Sequence, residues 1–483
     1  MPVDTKHEAY TAATKDWQLC RDCAEGERLI KERGQLYLPI LSGQDEAEYN
    51  AYKARALFYN AMSRTLEGLV GLVFRKDPEF KIPENLKDNL SSVDLSGMNI
   101  WTFSRNVFDE VLLVGRYGIL VDLPEGPSEK AIPYFAGYVT ERILNWKYIV
   151  VNGRRLLSMV VLEEEVADPG NDEFEEGTKT QYRVLKLDEE SQIYRVEIWE
   201  ATATTKDGKE QTVYTKTEDI LPTFRGQPLK EIPFAFVTPF GPQEAMAKPP
   251  LLDLAQVNVS HYRTSADLEH GAHFTALPTA WIAGFPTDSV FTIGSAKAWV
   301  SDDVNAKAGF LEFTGQGLQA LESRLEKKEQ LMAILGARML EAPRKGVEAA
   351  ETARIRQAGE SASLASMAIS VAEGIEKALA RWVEWQGGNP DDVAVGVNTD
   401  YVAEPLTAQE VIALFSTYQA GGISWETFVY NLKRGEVLPP GVEAEDEMKL
   451  IEARKPVEEE GDPLDLGGED EDNPEGDEDA VTE

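Results

Sequence analysis

A chain of 483 residues has length for two or three packed units, and its apolar fraction of 42 % supplies side chains for a sizeable core. The formal net charge of −36 speaks against electrostatic capture of nucleic acid or an anionic membrane, although an acidic wall lets a polyanion slide past. Only Cys20 and Cys23 are present, too few for a disulfide framework; with no leader pattern at Met1-Pro2-Val3-Asp4 and no apolar run of about 18 residues, a soluble protein made in the cytoplasm is expected.

The first part of the chain reads as helical. Thr14 to Gly34 carries Trp17, Cys20, Leu29 and Ile30 on a charged background and stops at Gly34. Glu46 to Phe74 is a longer amphipathic stretch with Tyr49, Tyr52, Ala56, Tyr59 and Met62 at helical spacing. Asp77-Pro78 ends it, and Trp101 to Val114 forms a further helix closed by Gly115. The period then becomes strand-like. Gly118 to Asp122 is a short apolar run. Tyr148 to Val151 and Leu156 to Leu162 flank Asn152-Gly153, a strong hairpin signal. Tyr182 to Leu187 and Tyr194 to Trp199 predict a second hairpin, and the acidic stretch Glu163 to Thr180 predicts a loop between the two. Residues 118 to 240 are thus expected to form a mainly antiparallel β body, ended by the Pro-rich segment Pro233 to Pro250.

Two helical patterns follow, Leu251 to Phe274 and Leu318 to Leu340. Their similar length, about 35 Å each at 1.5 Å per residue, predicts an antiparallel column carrying a small domain at its tip. The insert between them holds short strand candidates at Trp281-Ile282, Phe291 to Ile293, Ala298 to Val300 and Phe310 to Phe313. After the second helix, Glu341 to Val347 is a loop with two adjacent cations, Arg344 and Lys345, and Arg338 shortly before it. These are incidental charges on a solvated turn or, where the loop faces a lumen, contacts for DNA phosphates. Glu348 to Gln386 is one long helix in which Gly359 and Gly374 are possible bending points. Asp392 to Val397 predicts a strand returning to the β body. Thr407 to Tyr418 and Ser424 to Lys433 predict a helix pair, with Ser424 as N-cap and Thr427 in place of the Glu of a full capping box. No Lys or Arg follows Lys455, and the acidic end is expected to be disordered.

Catalytic signatures are weak. Cys20-Arg-Asp-Cys23 has CxxC spacing, but only His7 stands near as a further zinc ligand, and the motif lies inside a helical pattern rather than between a strand and a helix. His261, His270 and His273 share the helix 251–274. His270 and His273 are three apart and share a face, whereas Glu269 points off it. A metal or thiol hydrolase built on these histidines and cysteines is the enzymatic alternative; a polar helix face is the simpler one. No phosphate-cradling GxxxxGK[ST], no GxSxG and no HExxH occurs, so the chain is not the ATP-driven motor of a packaging system. No cofactor is expected.

The order of parts resembles tailed-bacteriophage portal proteins, in a branch first catalogued as a phage-associated family of unknown function. Tyr37-Leu-Pro39, Tyr49-Asn-Ala-Tyr52-Lys-Ala-Arg55-Ala and Arg64-Thr-Leu-Glu-Gly68-Leu-Val-Gly71-Leu-Val-Phe74 carry the resemblance. So do Pro249-Pro-Leu-Leu-Asp253-Leu-Ala-Gln-Val-Asn258, His273-Phe-Thr-Ala-Leu-Pro278, Phe310-Leu-Glu-Phe313-Thr-Gly315 and Glu351-Thr-Ala-Arg354. It implies an α+β protomer: a mixed wing over 1–250, a first stem helix over 251–274, a clip over 275–316 and a second stem helix over 317–340. A tunnel loop over 341–348 would bring Arg344 and Lys345, with Arg338, to face DNA. A long wing helix and return strand over 349–404, a short helical crown over 405–445 and an acidic tail over 446–483 complete the chain. The resemblance further implies a ring of about twelve copies at one capsid vertex of the virion, assembled in the host cytoplasm. That ring would conduct double-stranded DNA without sequence specificity during packaging and ejection. Its partners would be the terminase large subunit, the major capsid or scaffold protein and a head–tail adaptor, with no membrane and no catalysis of its own. Another structural head–tail or scaffold component is the nearest alternative.

Overall fold

The computed structural model describes residues 2–124, 132–169, 176–206, 209–241, 246–276, 279–285, 291, 299–311, 316–336, 350–399, 401, 406–435, 437–438 and 447–451. The fold is mixed α+β and divides into two compact units, residues 1–401 and 402–483. In chain order the first unit opens with α1 (Glu8–Glu25), α2 (Glu27–Glu32), α3 (Glu46–Arg55), α4 (Ala61–Val73), β1 (Glu79–Lys81) and α5 (Ile100–Val114). The strands β2 (Tyr117–Asp122), β3 (Tyr134–Val139), β4 (Ile143–Val151), β5 (Arg154–Pro169), β6 (Glu176–Leu187), β7 (Tyr194–Lys206), β8 (Lys209–Ile220), β9 (Thr223–Phe224), β10 (Gln227–Pro228) and β11 (Phe234–Val237) follow. Then come α6 (Leu252–Ala276), β12 (Thr279–Ala283), β13 (Lys307–Leu311), α7 (Gln316–Ile334), α8 (Ala350–Trp385) and β14 (Ala394–Gly396). The second unit holds α9 (Ala408–Gln419) and α10 (Trp425–Arg434).

The N-terminal helices are more broken than their apolar spacing predicts. The stretch 14–34 divides at Gly26, whose φ of 98° ends α1 and starts α2. A Cβ there would lie 2.8 Å from Asn60 Nδ2, so the break lets another segment approach. The stretch 46–74 divides between Arg55 and Ala61. The Asp45–Glu48 capping box starts α3, and Asn60 Oδ1 accepts from the Ser63 N–H, 3.0 Å, to start α4. Trp17, Cys20 and Cys23 of α1, Leu66 and Val70 of α4, and Val107 and Leu112 of α5 belong to the same buried core.

The strands form a three-stranded antiparallel sheet in the order β11–β2–β3 and a five-stranded meander from β4 to β8. Asn152 and Gly153 turn with φ of 50° and 76°, as a two-residue hairpin requires. The loop expected over 163–180 is mostly strand, because β5 runs to Pro169 and β6 starts at Glu176. Charge pairing explains the difference. Arg142 takes Glu163 and Glu165, and Arg183 Nε meets Glu164 at 2.8 Å, so the acidic run finds cations on the sheet. The strand near residue 394 does not return to the β body: β14 pairs antiparallel with β1 as a separate two-stranded sheet. Arg116 is fully buried, its guanidinium 4.0 Å from the ring centres of Trp146 and Phe236.

Helix α8 runs unbroken through Gly374, which serves close packing: a Cβ there would sit 2.9 Å from Val237 Cγ1 of β11. Its Trp382 is buried and donates from Nε1 to the Pro133 carbonyl, 2.6 Å. In the second unit, Thr407 and Glu410 form a full capping box on α9, and Ser424 caps α10 through the Thr427 N–H. Tyr418 stacks on Phe428 at 5.2 Å between the two helices.

Candidate functional site

The site follows from the two halves of α6. Leu252, Leu254, Ala255, Asn258, Val259, His261, Tyr262, Thr264, Ser265 and Ala266 are buried, and from Asp267 to the end of the helix none is. The first half is fastened to the core by polar bonds as well as packing. Asn258 Oδ1 accepts from the Met62 N–H at 3.2 Å, and its Nδ2 donates to the Tyr59 carbonyl at 2.8 Å. Thus one side chain serves the Met62 N–H, which has no intrahelical partner in the first turn of α4, and shares the Tyr59 carbonyl with the Ala61 N–H at 2.8 Å. Arg263 Nε donates to the Tyr37 carbonyl at 2.6 Å, and the Tyr52 hydroxyl donates to Asp267 at 2.6 Å.

Helix α7 lies along both halves. Gly271 faces Leu318, His261 faces Glu329, and Ser260 and Thr264 face Lys328. Residue numbers rise on one helix as they fall on the other, so the pair is antiparallel. Along α7 the less exposed positions are Leu318, Leu321, Leu325, Lys328, Met332 with Ala333 beside it and, just past its end, Leu335. Their alternating spacing of three and four is the seam of a two-helix coil. A Cβ at Gly271 would stand 2.7 Å from Leu318 Cδ2, so the helices approach closely there.

Lys328 interrupts the seam. Its ammonium donates to the Ser260 carbonyl at 2.7 Å and to Thr264 Oγ1 at 2.5 Å, and burial followed by nearby Arg324 holds its pKa below the ordinary lysine range. Next to it, His261 Nε2 lies 3.3 Å from Glu329 Oε1. Burial lowers the His261 pKa, and Glu329 opposes part of that. This polar crossing was not foreseen; a lysine at a seam position otherwise held by Leu and Met was its signal.

The insert joining the two helices contains the two-stranded β12–β13 sheet. Trp281, Ile282 and Phe310 on it are exposed, and an aromatic series runs from Phe285 to Phe291 at 5.2 Å, Trp299 at 5.6 Å and Phe310 at 6.4 Å. The predicted strands around Phe291 and Trp299 lie largely outside the described residues. Helix α7 ends at Ile334, with Gly336 at φ 147°, where a longer helix was expected. The pair is therefore unequal, 25 residues against 19. Arg338, Arg344 and Lys345 lie outside the described residues, as does the acidic tail but for 447–451, which is helical where disorder was expected; Gly359 lies within α8.

The histidines do not converge. His261 meets Glu329, His270 Nδ1 lies 3.2 Å from Arg55 Nη2, and His273 packs its ring on Phe274 at 5.6 Å. A guanidinium against His270 opposes both protonation and a metal cation, and burial and Arg55 lower its pKa. Cys20 and Cys23 are buried free thiols, with burial pushing Cys20 up to about 12 and Cys23 higher still, so neither is a ready thiolate. Among the described residues no group of three or more His, Cys, Asp or Glu side chains is arranged to hold a metal, and no helix is long and apolar enough to cross a membrane.

A family model described as a domain of unknown function, DUF4055, matches residues 250–386, under a third of the chain but the part that holds α6, the insert, α7 and α8. No curated protein matches. Among solved structures, the chain is similar to one in the neck of a native GTA particle computed with C12 symmetry, at 13 % identity and a TM-score of 0.37, covering 79 % of this chain and 90 % of that one. A second likeness is to the neck of an empty GTA particle computed with C6 symmetry, at 14 % identity and a TM-score of 0.40, covering 83 % and 95 %. A third is to the virion of a native gene transfer agent particle, at 12 % identity and a TM-score of 0.37, covering 85 % and 99 %.

Proposed function

We propose that the chain is a phage portal subunit: a structural component of the virion that closes into a ring of about twelve copies at one capsid vertex. The carrying observation is the antiparallel α6–α7 pair, anchored in the core at one end and joined across an exposed aromatic hairpin. In this reading α6 and α7 are the stem, residues 275–316 the clip, 341–348 the tunnel loop and the helices after 405 the crown. The ring conducts double-stranded DNA into the head and out through the tail. The terminase large subunit docks on the clip and supplies the hydrolysis; capsid or scaffold protein and a head–tail adaptor hold the ring in place. The charge of −36 supports transport, since a wall that repels phosphate does not stall a moving polyanion.

Native mass spectrometry with negative-stain imaging of the purified chain, alone and with capsid or scaffold protein, tests this. Rings with a central hole are expected; a chain that stays monomeric or dimeric in both conditions overturns the reading. Arg344→Glu with Lys345→Glu is expected to leave rings intact and to impair DNA packaging or retention. Normal packaging by that variant would remove the tunnel-loop assignment while leaving the ring untouched.

A further inference from the structure

A cleft of about 710 Å³ opens at the C-terminal end of α8, away from the α6–α7 pair. Its walls come from the Asn152 turn of the β4–β5 hairpin, Gln192 in the β6–β7 turn, the segment around β9 and β10, and Arg381, Glu384 and Trp385 of α8. Three non-glycine residues among those described have left-handed backbone: Asn152 at 50°, Gln192 at 52° and Arg225 at 52°. All three belong to this cleft. Two line it, and Arg225 sits in the turn between the lining residues Phe224 and Gln227. Such conformations cost free energy, and a glutamine and an arginine tolerate them less readily than an asparagine. The hairpin turns themselves require them, Asn152 standing before Gly153 at φ 76° and Arg225 before Gly226 at φ 73°, and the three turns meet at one concave surface.

The cleft lining carries Arg154, Lys230 and Arg381 against Glu231 and Glu384. Arg381 is matched by Glu231. Arg154 and Lys230 make no ion pair among the described residues, and Arg225 lies over the Phe224 ring at 4.9 Å. Against these cations stands Glu384. A net positive concavity on a chain of charge −36 draws acidic groups to one place. Phe224 and Trp385, ring planes 22° apart, form part of its wall and also line a second cavity of about 720 Å³. That neighbour is more apolar, with Leu123, Val196, Ile220 and Leu229 among its lining.

We infer that this paired cleft is a docking site for an extended acidic peptide segment of a partner protein, carboxylates meeting Arg154 and Lys230 and an apolar side chain crossing the Phe224–Trp385 wall into the second cavity. Nucleic acid fits less well. Its backbone carries a charge at every residue and has nothing to place in the apolar second cavity, whereas a peptide can join the few carboxylates that Arg154 and Lys230 accept beside Glu231 and Glu384 to an apolar side chain. The site involves no residue of the α6–α7 pair, so it stands or falls separately from the ring.

Selection of the full-length chain against a displayed library of random dodecapeptides tests it. The expected outcome is enrichment of sequences joining Asp or Glu to Leu, Phe or Met. A synthetic peptide of an enriched sequence should bind about tenfold or more weakly to Arg154→Glu/Lys230→Glu and to Trp385→Ala, and weaken with salt. Arg154→Gln/Lys230→Gln, melting like the parent, guards against a misfolded charge reversal and should show the same loss. No enrichment, enrichment of non-acidic sequences, or equal binding to the double variants overturns the proposal. A labelled oligothymidine that binds the parent, loses affinity in the double variants and displaces the peptides would instead identify a nucleic-acid surface.

Discussion

The two halves of α6 are one continuous helix under opposite rules. From Leu252 to Ala266 it is part of the core, and Asn258 is bonded to backbone atoms on both sides of a helix start. The polar crossing to α7, where Lys328 meets Ser260 and His261 meets Glu329, lies on this same half. From Asp267 onward no residue is buried, and the helix has α7 at Gly271 and surface contacts of Asp267 with Tyr52 and of His270 with Arg55. The first half is fixed by buried packing and by the Met62 N–H, whose partner is the Asn258 side chain. The second is held by partly exposed contacts alone. A buried root and a partly exposed end on the same helix make the far half the part that can shift while its root stays in place.

The strongest way to break this contrast is Asn258→Ala. It leaves the buried Met62 N–H without its partner, while the Tyr59 carbonyl keeps the Ala61 N–H at 2.8 Å, at a cost of about 2 kcal/mol. Denaturant unfolding followed by tryptophan fluorescence measures it; a loss under about 1 kcal/mol would mean that water reaches the anchor and the two halves are alike. Next in size is Lys328→Ala, expected to cost about 1 kcal/mol, read as faster hydrogen exchange confined to α7. Lys328→Met fills the seam position with a side chain of suitable length and should recover most of that loss. If Met fails to recover it, the hydrogen bonds to Ser260 and Thr264 hold α7 rather than the packing.

Much of this was legible before the fold was known, and the failures share a cause. The helix pattern from Leu251, the Asn152-Gly153 hairpin and the long helix after residue 348 are local signals, periodicity and turn chemistry, and appear as α6, β4–β5 and α8. Where the outcome depended on what a segment meets across the fold, the pattern misled. Glu163 to Glu165 looked like loop because its cations, Arg142 and Arg183, lie elsewhere in the chain. Gly374 looked like a place to bend because Val237 is remote in sequence. Arg116 gives no sign in its neighbours that Trp146 and Phe236 will close over it. The histidines shared a helix, yet that closeness separated rather than joined them, since His261 is on its buried face and His270 is against Arg55.

Acid sharpens the comparison on the seam side. The His261 pKa is lowered by burial, so the folded chain binds fewer protons there than the unfolded chain does below about 6.5. The stability associated with neutral His261 is full above that pH and is lost as pH falls through it toward the folded value. His7 and His270 shift in the same direction, so the parent loses stability from several sites at once. The difference between the parent and His261→Gln isolates one of them. Between about pH 7.5 and pH 5.5 the parent's α7 amides should lose protection relative to the variant's. Equal loss in both would place the pH response outside the seam.

The smallest effect is expected at the neighbouring residue on the buried side. The Tyr262 hydroxyl is enclosed and has no hydrogen-bond partner among the described residues, while its ring packs edge-on to Phe58 at 5.9 Å. Removing an unsatisfied buried hydroxyl while keeping the ring removes a desolvation cost, so Tyr262→Phe should be neutral or stabilise by up to about 1 kcal/mol. Unfolding midpoints of the two proteins decide it. A clear loss would mean that the hydroxyl is served by an enclosed water, and the buried half of α6 would then contain a wet site of its own. The contrast along the helix would be one between a root that holds a fixed water and a far end open to solvent.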